Sequence, residues 1–159
     1  MKSIALTIAF TLFAGPALAL SCLPPNVATS FNEAAASEKQ YIVVRGKLVF
    51  DESKLPETDL QNQAQTPPHV DIKAQLTGKS LSRAGFNADF DRTITLRAQC
   101  FGPWCGRAVS GADYLSFLEK TDDGYLLAVT PCGGYDFIDP TEEMLRKAAR
   151  CFKGDSCTP

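Results

Sequence analysis

The chain has 159 residues, 45% of them hydrophobic, and 16 lysines and arginines against 18 aspartates and glutamates leave a formal net charge of −2. That length suits one domain with its own core, and the balance supplies no positive field for a phosphate backbone, so nucleic-acid binding is disfavoured. Six cysteines, about four per cent of the chain, are too sparse for a fold held mainly by disulfides and must supplement a hydrophobic core.

Lys2, the apolar run over 4–13 and the small residues through Ala19 have the layout of an export signal. The expected signal peptide is 1–19, cut after Ala17-Leu18-Ala19, while Ala19-Leu20-Ser21 also permits a cut after Ser21. Lipidation of Cys22 is disfavoured, because Ala19 stands where a larger aliphatic is usual and a modified Cys22 would leave an odd cysteine. The apolar run is too short to span a bilayer comfortably and no later stretch could, so no transmembrane segment is expected. Loss of Lys2 moves the balance only to about −3. The reading is a secreted or periplasmic protein with a single domain over 20–159. Export places all six cysteines where disulfides persist, and six allow fifteen pairings.

Pro24-Pro25 keeps its neighbourhood extended, and the alanine-rich stretch 28–39 carries Phe31, Ala35 and Glu38 at helical spacing, which predicts a short helix. Tyr41–Phe50 is rich in β-branched and aromatic residues and reads as a strand, with Gly46 marking a bulge or sharp bend. The stretch 51–68 is polar, holds Pro56, Pro67 and Pro68, and predicts an exposed, mobile loop. Val70, Ile72, Ala74 and Leu76 then alternate with polar residues as in a half-buried strand, and Ile94, Leu96, Ala98 and Cys100 do the same.

Between those strands, Gly78-Lys79-Ser80 resembles the end of a phosphate-binding loop, but Lys73 occupies the place of the first glycine; a turn at the end of a strand is expected instead. Two further strand-like runs, 114–118 and 125–130, flank Thr121-Asp122-Asp123-Gly124, a strong hairpin signal. Asp139, Pro140 and Glu142 form a helix start, and Met144, Leu145, Ala148, Cys151 and Phe152 fall on one helical face. The pattern is mainly β (α+β): five strands, antiparallel or closed into a barrel, a helix at each end, and no βαβ alternation or internal repeat.

Chemistry-bearing residues are few. His69 is the single histidine, follows Pro67-Pro68 at a strand entry, and has no nucleophile placed near it in sequence, so no catalytic residue is assigned. Cys-x4-Cys and Cys-x5-Cys fit zinc spacing poorly, and neither a metal nor a cofactor is expected. Cys100 and Cys105 have four residues between them where a dithiol exchanger has two, which favours a structural loop disulfide.

Cys22-Leu-Pro-Pro, a short helix, Tyr41-Ile-Val-Val-Arg-Gly-Lys, Asp113-Tyr-Leu-Ser-Phe-Leu118, and a Gly-Tyr-Leu-Leu strand running into Thr130-Pro-Cys132 stand in an order that resembles the netrin-like family. That family includes the tissue inhibitors of metalloproteinases and many secreted bacterial proteins. The resemblance covers nearly all of 20–159. It implies a disulfide-bonded, five-stranded antiparallel OB-fold-like barrel in which the N-terminal cysteine is tied to the end of the last hairpin strand. On this sequence the tie is Cys22 to Cys132, leaving Cys100 with Cys105 and Cys151 with Cys157 as local loops. The inhibitors begin Cys-x-Cys and grip zinc through the first cysteine; here the stretch reads Leu20-Ser21-Cys22, so Cys22 matches only the structural cysteine.

The expected function is an exported, non-enzymatic binding module that meets an unknown protein or ligand through loops on a rigid scaffold. Its candidate surface is Leu23, Pro24 and Pro25, the loop from Phe101 to Trp104, and Gly133, Gly134 and Tyr135. The alternatives are a metalloproteinase inhibitor, a secreted hydrolase using His69 or redox enzyme using Cys100 and Cys105, and a structural cell-envelope component.

Overall fold

The computed structural model describes residues 20–58 and 62–159; the expected export signal lies outside them. The first element is helix α1 (Val27–Ala36), whose cap Asn26 accepts from the amides of Ala28 (2.8 Å) and Thr29 (3.4 Å). It ends short of the expected residue 39 because Ser37 turns extended. Strand β1 (Tyr41–Phe50) follows, then β2 (His69–Ser82) and β3 (Gly85–Phe101), which form one long hairpin. A two-residue strand β4 (Trp104–Cys105) folds back on β3; β5 (Asp113–Thr121) and β6 (Gly124–Val129) make the expected hairpin. Strand β7 (Asp136–Ile138) and helix α2 (Glu142–Lys153) complete the chain.

The sheet closes a ring, β1-β2-β3-β6-β5 and back to β1, with β4 beside β3 and β7 beside β5. Seven strands therefore replace the expected five, the extra two being short pieces outside the ring. The expectation of a wholly antiparallel sheet is also corrected: β3 and β6 run parallel, from Thr95 opposite Leu126 to Ala98 opposite Val129. The reason is parity. Antiparallel neighbours alternate direction, and five strands in a ring cannot alternate all the way round.

Gly46 sits opposite Gly78 on β2 and Tyr114 on β5, with register unbroken on both sides, so it is not a bulge. A Cβ on Gly46 would overlap the Thr77 carbonyl, and one on Gly78 the Arg45 carbonyl, so the two strands cross here at a distance only glycine allows. The expected turn at 76–80 is accordingly strand interior. The register break in this hairpin lies at Ser80/Leu81. Within 51–68 the chain is not structureless: 3-10 turns form at Glu52–Lys54 and Gln63–Gln65, and Glu52 accepts from the Ser110 amide.

Alternation builds two cores. Val44, Leu48, Leu76, Leu96, Tyr114, Leu118 and Leu127 pack inside the ring, while Val43, Leu115, Phe117 and Phe137 pack outward under α1 and α2 against Val27, Leu145 and Ala148. β5 feeds both, which is why it reads as a continuous apolar run. Tyr114 is fully buried, and its hydroxyl accepts from the Val109 amide (2.7 Å) and donates to the Val109 carbonyl (3.1 Å), fixing the loop ahead of β5.

Helix α2 is capped by Thr141, which accepts from the Met144 amide, and ends on Gly154 in the left-handed region. The expected start at Asp139 is displaced because Asp139 has φ 46 and its amide bonds the Asp113 carbonyl (2.8 Å). Leu145, Ala148 and Cys151 are buried as the helical face requires, but Phe152 is 41% exposed. Three disulfides join Cys22 to Cys132, Cys100 to Cys105 and Cys151 to Cys157, and no described helix is long and apolar enough to cross a membrane.

Candidate functional site

The Cys22–Cys132 disulfide, across a sequence separation of 110, fastens the N-terminal segment to the turn that follows β6. That turn builds itself locally. The Thr130 carbonyl accepts from the Gly133 amide (3.1 Å), and the Thr130 hydroxyl accepts from the Cys132 amide (3.2 Å) and donates to the Gly133 carbonyl (2.9 Å). Gly133 and Gly134 have φ of 68 and 122, conformations that side chains with a Cβ rarely adopt. The Ser30 hydroxyl, 2% exposed, lies between the carbonyls of Asn26 (3.0 Å) and Gly134, so α1 also holds the turn.

Pro25 lies against Gly133, in ordinary van der Waals reach of where a side chain there would begin. Leu23 is 88% exposed, and Pro24 and Pro25 are exposed beside it. The first and third parts of the expected surface are therefore adjacent and form a proline-rich ridge.

The Phe101 to Trp104 loop is placed by a different route. Phe101 pairs with Trp104 and Cys100 with Cys105 across the β3–β4 turn, with Gly102 at φ 59. The next residue, Gly106, donates to the Gln99 carbonyl (2.7 Å), and any side chain on it would overlap the Val129 carbonyl at the end of β6. The loop is thus seated against the strand that leads into Pro131 and Cys132. Pro103, Trp104, Arg107, Pro131, Thr58 and Leu20 border a depression of about 450 Å³ that runs from this loop to Pro131, the residue before Cys132. Trp104 is half-buried and Phe101 is 44% exposed.

Tyr135 is different. Its ring stacks on Tyr41 with centroids 5.3 Å apart and meets Phe117 edge-on, and its carbonyl accepts from the Phe117 amide, so it is largely a packing residue of the outer core. Burial pushes its phenol up. The sequence reading missed Arg107 and Thr58, which lie in no motif, and took Pro131 only as part of Thr130-Pro-Cys132; the fold brings all three to the rim of the depression.

His69 is exposed at the start of β2, opposite Gln99. Near it, Arg97 grips Asp71 through two bonds of 2.7 and 2.6 Å, which holds the Asp71 carboxyl below the usual carboxylate range and raises the guanidinium. Further along, Gln75 bonds Thr93 (3.0 Å) and Thr77 bonds Asp91 (3.1 Å). This face is a solvated cross-strand ladder whose polar groups largely satisfy one another. Among the described residues no cluster of histidine, cysteine and carboxylates could hold a metal. No protein-family model matches the sequence, and no curated protein or solved structure matches it either.

Proposed function

We propose that this chain is an exported, non-enzymatic recognition module of the netrin-like, OB-fold type, binding a protein or ligand through the ridge and the depression beside it. The OB-fold reading is supported by the ring. Counting only its five strands, the order is first, second, third, fifth, fourth, with the single parallel contact between third and fifth, a Greek-key order suited to a small closed barrel.

One observation carries the recognition reading: the Cys22–Cys132 tether holds the exposed Leu23, Pro24 and Pro25 at the turn after β6, and Pro131 of that turn borders the same depression as Trp104 and Arg107. Rigid aromatic and guanidinium groups beside a preordered apolar segment are the features that dominate binding energy at interfaces, because little ordering entropy remains to be lost. The double variant Leu23→Ala with Trp104→Ala separates this from a structural envelope role. Bait carrying the native surface is expected to retain a single partner from envelope extracts reproducibly, and the folded double variant to lose it at least tenfold. Equal retention by both, or fractionation with the cell wall instead, counts against recognition at this surface.

Zinc endopeptidase inhibition is the narrower alternative, since the tether offers the N-terminal segment outward, yet Leu20-Ser21-Cys22 lacks the first cysteine of Cys-x-Cys. Incubation with a panel of such proteases is expected to leave proteolysis unchanged.

A further inference from the structure

Two buried polar atoms in the described structure have no hydrogen-bond partner: the Ser116 hydroxyl and one oxygen of the Asp136 carboxylate. They are not independent. Ser116 on β5 and Asp136 on β7 are directly opposite each other in an antiparallel pair, so their side chains project from the same face. Ser116 is 0% exposed, and the residue opposite it on its other side is Val44 of β1, fully buried in the inner core. The half-buried Asp136 thus turns one carboxylate oxygen away from solvent, opposite the Ser116 hydroxyl but not bonded to it, on a strand of three residues.

We propose that Ser116 and Asp136 form a proton-operated latch on β7: the neutral carboxylic acid seats the strand against β5, and loss of the proton loosens it together with the Gly133-Gly134-Tyr135 segment that precedes it. With a rotation of the serine hydroxyl a protonated carboxyl can donate to it, whereas the buried oxygen of an ionised one is left without a donor or a cation. Burial pushes the Asp136 carboxyl up to about 7, its own backbone amide being the one opposing influence.

The charged groups nearby do not change this. From β5, Tyr114 senses the Asp136 charge, and Glu52 and Asp139 raise the same phenol further; all of these are neutral or negative. From β1, Arg45 and Lys47 lie opposite Leu115 and Asp113, hence on the other face of the sheet, with Arg45 3.7 Å from Glu142 and Lys47 bonded to the Gly111 carbonyl. The direction follows. A carboxyl whose folded value exceeds its unfolded value favours the seated strand most below about pH 4, and that preference is lost as pH rises to about 7. As regulation of the ridge the latch rests on the recognition reading; as a movement of β7 it needs no partner.

Amide hydrogen exchange on the isolated protein tests it without any ligand, so failure here and failure of the recognition reading are distinguishable. The Phe117 and Asp139 amides bond the Tyr135 and Asp113 carbonyls across the latch, and the β2–β3 ladder serves as internal reference. After correction for intrinsic rates, protection at Phe117 and Asp139 relative to the ladder is expected to fall by up to about tenfold per pH unit between pH 4 and 7, then level off. In Asp136→Asn the ratio is expected to be flat. A flat ratio in the native chain, or an unchanged slope in the variant, overturns the latch. Should the variant not fold, NMR titration of the native Asp136 carboxyl decides: a midpoint near 7 supports the latch, and one near that of an ordinary aspartate overturns it.

Discussion

At the scale of single residues, the glycine pair at the β1–β2 crossing imposes the tightest steric limit. Gly78 lies where a Cβ would meet the Arg45 carbonyl and the Gly46 Cα, both backbone atoms that cannot swing aside. Gly78→Ala is therefore expected to cost about 3 kcal/mol or more, at the upper end of what overpacking usually costs. A denaturant titration checks this, with Gly85→Ala as control: Gly85 has open space around it but φ of 103, so its penalty is backbone strain alone, about 1 kcal/mol. Comparable losses in the two variants would show that the crossing is looser than described. Gly46 stands out in the sequence as an anomaly inside an apolar strand, but its partner Gly78 reads there as a turn residue. Local pattern shows that a glycine is unusual; only the 32-residue detour through β2 shows what it faces. The candidate site divides the same way. Leu23 and Trp104 are conspicuous by type and position, whereas Arg107 has no distinguishing neighbours and joins the site through packing.

At the scale of elements, what could be read was whatever carried its own period. β2 and α2 are legible because burial follows the sequence period, and the β5–β6 hairpin because Asp122-Asp123-Gly124 marks its turn although β5 itself is a continuous buried run. The first half of β3 was not, since Asn87, Ala88, Asp89, Asp91 and Arg92 face solvent and only Phe90 is buried to mark the period. β7 was missed because three residues cannot display a period at all, and its existence depends on β5. Helix ends are governed by chemistry that does read locally, yet two acceptable caps competed before α2. Thr141 wins because Asp139 is drawn into a left-handed conformation by its bond to Asp113. If Thr141 is the working cap, Thr141→Ala should lower stability by about 1 kcal/mol, and Asp139→Ala should not reproduce that loss through the helix. Thermal unfolding of the two variants, with helicity followed by circular dichroism, distinguishes them; a larger loss of helicity in Asp139→Ala would restore the earlier start.

At the scale of the whole molecule, ring closure and the tether divide the work. The ring is specified by two interleaved apolar sets, one facing in and one facing the helices, and it needs no cross-link to define its order. The long disulfide instead fixes a segment that has little core of its own: Leu23 is 88% exposed and Pro24 and Pro25 are exposed. Its effect on stability should come mainly through the unfolded chain, where a loop spanning 110 positions is closed. In the chain-entropy view that is worth up to about 4.7 kcal/mol, against about 2 kcal/mol for the short Cys100–Cys105 loop. Two double variants expose the difference. Cys22→Ser with Cys132→Ser is expected to remain folded but lose roughly twice the stability lost by Cys100→Ser with Cys105→Ser, while the ridge residues alone become proteolytically accessible under native conditions. If the ring strands lose exchange protection along with the ridge, the tether is part of the fold's specification rather than a clamp on its surface. A smaller loss from the long bridge than from the short one would mean that the unfolded chain already keeps its ends together.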